Sequence, residues 1–185
     1  MNHCKICFKE IKIQGFNALK PSTICQRCYN EFNVIFLKTN IENVKVISLY
    51  DYNATLKKLL FQYKGCFDIE LKSVFLERHL NELRIKYREY VIVPIPSTKN
   101  SDEERGFNHV EEIFAYLQIP IYNCLKKRID FKQSDLSKEE REKVLAKFII
   151  EKGELLRNKK VLIVDDIITT GSSIPMWMDR QNRRR

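Results

Sequence analysis

Glycine and proline are scarce, with five of each in 185 residues. That scarcity excludes a collagen-like or low-complexity chain, both of which need them in bulk. No apolar run approaches the roughly 18 residues that span a bilayer. No membrane insertion is therefore expected. The opening residues, MNHCKICFKE, contain no apolar core of the kind a secretory leader carries. A cytoplasmic protein is expected. Six cysteines are too sparse for a disulfide scaffold in a chain of this length. A G-x4-G-K-S/T loop is also missing, which removes the P-loop class.

What is present is a basic chain with enough apolar side chains for a core: 44% are apolar and the formal charge is +9. The length fits one domain, or one domain and a small appendage. The charge is unevenly placed. Residues 1–40 hold six Lys/Arg against two Asp/Glu, and residues 180–185 hold four Arg and no acid. Basic ends are compatible with nucleic-acid contact. They are equally compatible with two solvated patches.

Cysteine spacing says more than cysteine number. Cys4 and Cys7 form C-x2-C, as do Cys25 and Cys28, with 17 residues between the pairs. Each pair sets two sulfurs on a tight knuckle, and two knuckles complete one tetrahedral zinc site. Such a site is closed, hence structural. A segment of ~30 residues has too little core to fold alone, and metal binding can supply the missing free energy. His3 is a possible substitute ligand, although four cysteines already fill the set. Cys66 and Cys124 read as ordinary half-buried thiols. Phe8, Ile11, Ile13, Phe16 and Leu19 suggest a short hairpin between the knuckles, and residues 29–38 an apolar stalk. The expected units are a zinc finger over 1–38 and a body over 39–185.

The body alternates strands and helices. Residues 44–52 read as a strand. Residues 53–65 carry apolar positions 56, 59, 60 and 63, a helical period, with Gly65 as its C-terminal cap. Residues 69–85 also have helical spacing. Residues 90–96, YVIVPIP, read as a strand buried on both faces. Residues 101–119 suggest one capped helix, and 119–128 a strand and turn. Residues 137–148 are amphipathic behind a capping box of Ser137 and Glu140. Residues 161–164 form another buried strand. This order predicts an α/β domain with a mostly parallel sheet flanked by helices.

The stretch VLIVDDIITTGSS, residues 161–173, bears the chemistry. An apolar strand runs into Asp165 and Asp166, then into Thr169, Thr170, Gly171, Ser172 and Ser173. Glycine lets backbone N–H groups approach a ligand. Those groups and the hydroxyls make an anion site suited to one phosphate. Carboxylates beside a phosphate would repel it, unless sugar hydroxyls or Mg2+ lie between. Asp165 and Asp166 are thus acceptors for vicinal ribose hydroxyls.

This stretch closely resembles the phosphoribosyl pyrophosphate (PRPP) motif of type I phosphoribosyltransferases. Together with the four-cysteine finger, VPIPSTKNSDEERGFNH (93–109) and QSDLSKEEREK (133–143), it resembles the ComF family over roughly residues 4–173. That family is competence-associated, amidophosphoribosyltransferase-like and linked to DNA uptake in bacteria. Arg105, Gly106, Phe107 and Asn108 match its R-G-F-N-Q segment, with His109 in the Gln place. Gln133, Leu136 and Arg141 match a later pattern, while Val144 stands where Asn is usual.

The resemblance implies a type I phosphoribosyltransferase-like fold with zinc and Mg2+. Asp165 and Asp166 would hold ribose hydroxyls, and Thr169 to Ser173 the 5-phosphate. Ser97, Thr98 and Lys99 would face pyrophosphate and its Mg2+. Lys64 and Arg105 are candidates for further phosphate contacts; for Lys64 the alternative is a solvated helix-end cation. His109 reads as a helix-surface residue rather than a base. Gln133 and Arg141 would order a loop over the site or lie on the surface. Implied partners are PRPP or a related ribose phosphate, single-stranded DNA and other competence proteins.

The chain departs from the family after Ile174, where Pro175 is followed by MWMDRQNRRR. A truncation, frameshift or cloning scar is expected there. The incomplete sheet would then favour a homodimer or marginal stability. Two functions from different classes follow. One is a binding protein for PRPP and single-stranded DNA in transformation. The other is a Mg2+-dependent phosphoribosyltransferase with an unknown acceptor, for which no acceptor-activating base is evident.

Overall fold

A computed structural model describes residues 3–11, 22–41, 44–127 and 148–168. The hairpin expected between the knuckles falls mostly outside this range. So do the capping box at 137–140, Gln133, Arg141, and the loop Thr169 to Ser173.

Helix α1 (Gln26–Asn30) follows the second knuckle. Strand β1 (Val34–Ile41) then pairs antiparallel with β2 (Val44–Tyr50). The expected stalk is thus a helix end and a strand, and β1 runs across the anticipated boundary at residue 38. Its backbone groups find partners in β2 rather than water. A bulge between Val34 and Leu37 shifts the register.

Helix α2 (Ala54–Gly65) starts where Asn53 accepts the Leu56 N–H at 2.9 Å. Leu56, Leu59, Leu60 and Tyr63 are buried, the face that the periodicity indicated. Gly65 is not the cap: Cys66 takes that position, and the left-handed residue is Phe67 (φ 60°). Residues 69–85 are less regular than their spacing suggests. Two 3-10 turns (Ile69–Ser73, Glu77–His79) precede helix α3 (Leu80–Lys86).

Strand β3 (Tyr90–Pro94) pairs in parallel with β6 (Lys160–Val164), from Tyr90↔Lys160 to Pro94↔Val164. Ile121 makes a parallel bridge to Ile92. Two antiparallel ribbons accompany this parallel part: β1–β2, and β4 (Leu125–Lys127) with β5 (Phe148–Ile150). The result is a mixed α/β fold. β3 is buried on both faces as expected. Ile92 packs into one cluster, with Leu59, Tyr63 and Val110; Val91 and Val93 pack into another, with Cys124 and Leu156.

The single helix expected over 101–119 is two. Helix α4 (Lys99–Arg105) ends at Gly106, which adopts φ 81°. Helix α5 (His109–Phe114) starts afresh, with Asn108 accepting the Glu111 N–H at 2.9 Å. Glycine is the residue that turns left-handed without strain, and asparagine is a favoured N-cap. This break sets the direction of Arg105 and His109. Among the described residues, no helix is long and apolar enough to cross a membrane.

Candidate functional site

Two polar centres stand out. The first is the cysteine cluster. The Phe8 N–H donates to the Cys4 carbonyl at 2.8 Å, closing the first knuckle, while Phe8 takes φ 58°. Cys25 sits at the N-cap of α1, so the second knuckle is that helix's first turn. The sulfurs of Cys4, Cys7, Cys25 and Cys28 lie within 4.8 Å of one another, and Cys7 and Cys25 Sγ are 3.6 Å apart. A tetrahedral ion with sulfurs at about 2.3 Å needs sulfur pairs roughly 3.8 Å apart. The donor set therefore fits a metal ion such as zinc. His3 is exposed and bridges to Glu10, outside the cluster. Burial opposes ionisation of Cys4, yet N–H groups of Cys25, Cys7 and Ile6 draw its thiol down to about 7. Burial pushes the Cys28 thiol up.

The cluster is not a detached lid. Cys4 and Cys28 share a core with Leu56, Leu59 and Phe75. Glu77 accepts the Thr23 N–H at 3.0 and 3.1 Å, and the hydroxyls of Ser22 and Thr23 as well. Lys5 pairs with Glu70 at 3.1 Å, and the Arg78 guanidinium lies 4.2 Å over the Tyr29 ring. Cys66 is exposed and Cys124 buried, so neither is the half-buried thiol expected.

The second centre lies at the carboxyl ends of β3 and β6. The ladder continues one step, with the Ile95 N–H on the Val164 carbonyl at 2.9 Å. Ser97 and Thr98 leave one strand, and Asp165 and Asp166 the other. The two aspartates line a cavity of about 1290 Å3, with Tyr50, Leu60, Leu83 and Ile167 among its other walls. Ser97, Thr98, Lys64 and Arg105 do not line it. Thr98 caps α4 by accepting the Ser101 N–H at 3.4 Å, and Lys99 opens that helix. The Lys99 side chain lies outside the described groups.

The aspartates differ sharply. The Asp166 side chain is 8% exposed, with Lys64 Nζ at 2.5 Å and His109 Nε2 at 3.4 Å from the same oxygen. Neither contact has the alignment of a directed hydrogen bond. The His109 contact lowers this carboxyl most, followed by the Lys64 charge, whose pull is strong where water is excluded. Burial works against the charge, but His109 and Lys64 outweigh it and hold this carboxyl below the ordinary range. Asp165 accepts the Asp166 N–H at 2.8 Å. Burial and the charge of Asp166 push its carboxyl up to about 7.

Lys64 is therefore not a solvated helix-end cation, since it is ion-paired and only 29% exposed. Arg105 is 9% exposed and pairs with Asp102 at 3.0 Å. His109 corrects the surface reading: it is buried, and its ring contacts Asp166 and Arg105. The signal was available. His109, Val110, Ile113 and Leu117 form one helical stripe, and all four are buried. Asp102 was missed outright, because in sequence it is one acid among several. It accepts from the Ser97 hydroxyl, from Arg105, and from Asn108 at 3.3 Å.

The chain is 33% identical over 160 residues to Competence protein ComFC of Streptococcus pneumoniae, covering 85% of this chain and 69% of that one. The chain belongs to the ComF family. It is also 31% identical over 130 residues to Competence protein ComFC of Bacillus subtilis, covering 69% of this chain and 53% of that protein. No protein-family model matches the chain.

Proposed function

We propose that this ComF-family chain acts in competence, binding PRPP or a related ribose phosphate with Mg2+ and contacting single-stranded DNA. One observation carries the ligand reading. Parallel neighbours β3 and β6 end together, bringing Ser97–Thr98 and Asp165–Asp166 to one edge. In open α/β sheets, ligands bind beyond the carboxyl ends of the strands. Asp165 and Asp166 would take the ribose hydroxyls, and Thr169 to Ser173 the 5-phosphate. Ser97, Thr98 and Lys99 would face the pyrophosphate. Lys64 and Arg105, already paired with acids, would shape the site more than grip phosphate. Cys4, Cys7, Cys25 and Cys28 would hold structural zinc.

Calorimetric titration with Mg2+ and PRPP tests this. We expect saturable heat from the unmodified chain and its loss in an Asp165→Asn/Asp166→Asn variant. Equal heats from both sink the assignment. Exposed Phe8 beside exposed Lys9 supports the DNA part, since bases stack on aromatics while cations track phosphates. Affinity for single-stranded DNA should then fall steeply with salt. A salt-independent constant excludes that mode.

A second reading is catalytic phosphoribosyl transfer. Asp165 favours it, because a carboxyl near 7 can exchange a proton with an acceptor at neutral pH. The acceptor would bond to C1 as the C1–O bond breaks, pyrophosphate would leave with the bonding pair, and Asp165 would take the acceptor's proton. Mg2+, if held beside Ser97, Thr98 and Lys99, would supply charge neutralisation for the leaving pyrophosphate. Pyrophosphate release that depends on an added acceptor separates this reading from binding alone.

A further inference from the structure

A continuous polar chain joins the two strand ends. The Ser97 hydroxyl donates to Asp102 Oδ1. Arg105 Nη1 donates to the same oxygen at 3.0 Å and lies 3.2 Å from His109 Nδ1. Across the ring, His109 Nε2 lies 3.4 Å from Asp166 Oδ2. A guanidinium only donates. The Nδ1 atom facing Arg105 must therefore accept, which leaves the ring proton on Nε2, the nitrogen that faces Asp166. Three further contacts hold the relay in place. Arg105 Nε donates to the Lys64 carbonyl at 3.3 Å, tying the helix that carries Asp166's cation to the same arginine. Tyr63 OH donates to the His109 carbonyl at 2.8 Å, and Asn108 fixes Asp102 from the far side. Both Arg105 and His109 are almost wholly buried, so water does not compete.

We propose that His109 is a positioning residue. It orients Asp166 and, through Arg105 and Asp102, couples that carboxylate to the Ser97 loop at the end of β3. The two sides of the site are then set together rather than separately. This inference rests on the ribose-phosphate reading above.

A glutamine tests it, because one amide supplies both the acceptor and the donor that the imidazole presents. Leucine supplies neither. Calorimetry with Mg2+ and PRPP on the full chain should show at least a tenfold loss for His109→Leu and less than threefold for His109→Gln. Ser97 does not touch His109, so independent effects would add. We expect the Ser97→Ala/His109→Leu pair to be less damaging than the product of its singles by at least threefold. Simple additivity overturns the coupling. Unchanged binding in His109→Leu, with loss in Asp166→Asn, overturns the positioning role and leaves the ribose-phosphate reading standing. No binding by the unmodified chain overturns both. Should His109→Leu fail to fold, nitrogen NMR of the unmodified imidazole decides. A ring carrying its proton on Nε2 is expected, and one carrying it on Nδ1 overturns the relay.

Discussion

The cysteine cluster and the strand-end carboxylates are both built from charged or ionisable groups, but along the chain they are assembled in opposite ways. Four sulfurs come from two short knuckles whose spacing already holds each pair together. The partners of Asp166 come from α2 and α5, and the groups behind them from α4 and the loop after β3. The first centre is a property of local sequence. The second exists only once the sheet and three helices have packed. Each should therefore fail differently.

The largest expected effect is at the cluster. Chelation of the zinc-loaded chain, or Cys4→Ser, should cost on the order of 5 kcal/mol, as loss of a structural metal does. Because Cys4 and Cys28 lie in the core with Leu56 and Leu59, the damage should reach α2. Denaturant titration with hydrogen exchange checks both points. Protection that vanishes only over residues 3–28 contradicts the shared core.

Lys64→Met comes next. Removing one partner of a buried pair leaves an uncompensated charge, at about 3 kcal/mol. His109 remains beside Asp166, and Asp166→Asn added to Lys64→Met should restore much of the loss. Additive losses in the double variant mean that the two are not coupled.

Glu77→Ala should cost about 2 kcal/mol, the scale of hydrogen bonds to a charged acceptor that loses its place. Exchange should rise most at Thr23 and its neighbours, with β3 unaffected. This sharpens the contrast, since the knuckles would loosen from the body while keeping their own geometry.

How far the sequence could be read follows the same division. The four-cysteine cluster and the buried face of α2 were visible because their information is local: a spacing in one case, a period in the other. β3 was visible because a strand covered on both sides has no polar face. The break between α4 and α5 was missed although Gly106 and Asn108 are ordinary stop and start signals. The apolar period runs on across them and hides the change of axis. The cap of α2 was misplaced because Phe67, not glycine, takes the left-handed conformation. Lys64 and Arg105 were picked out as cations, but their partners depend on tertiary packing. A cation that will be neutralised internally looks, in sequence, like one free to bind phosphate.

The smallest expected effect concerns Asp165, and its sign is definite. Its carboxyl is raised from 3.8 to about 7 in the folded chain, chiefly by burial and then by the charge of Asp166. The folded state thus holds this proton more tightly than the unfolded state does. The stability it contributes is fully present below the unfolded value, near 4, and is lost as pH rises through about 7. Asp166 has the opposite sign: its carboxyl is held below the ordinary range, so its contribution is present at neutral pH and fades only in acid. Between pH 4 and 7, Asp165 therefore dominates the difference between the two. Asp165→Asn should flatten the decline in thermal midpoint over that interval, by a few degrees at most, while Asp166→Asn should not. Should the unmodified chain and Asp165→Asn follow the same pH dependence across that interval, the strand end is more open to water than its geometry implies, and Asp165 is an ordinary carboxylate.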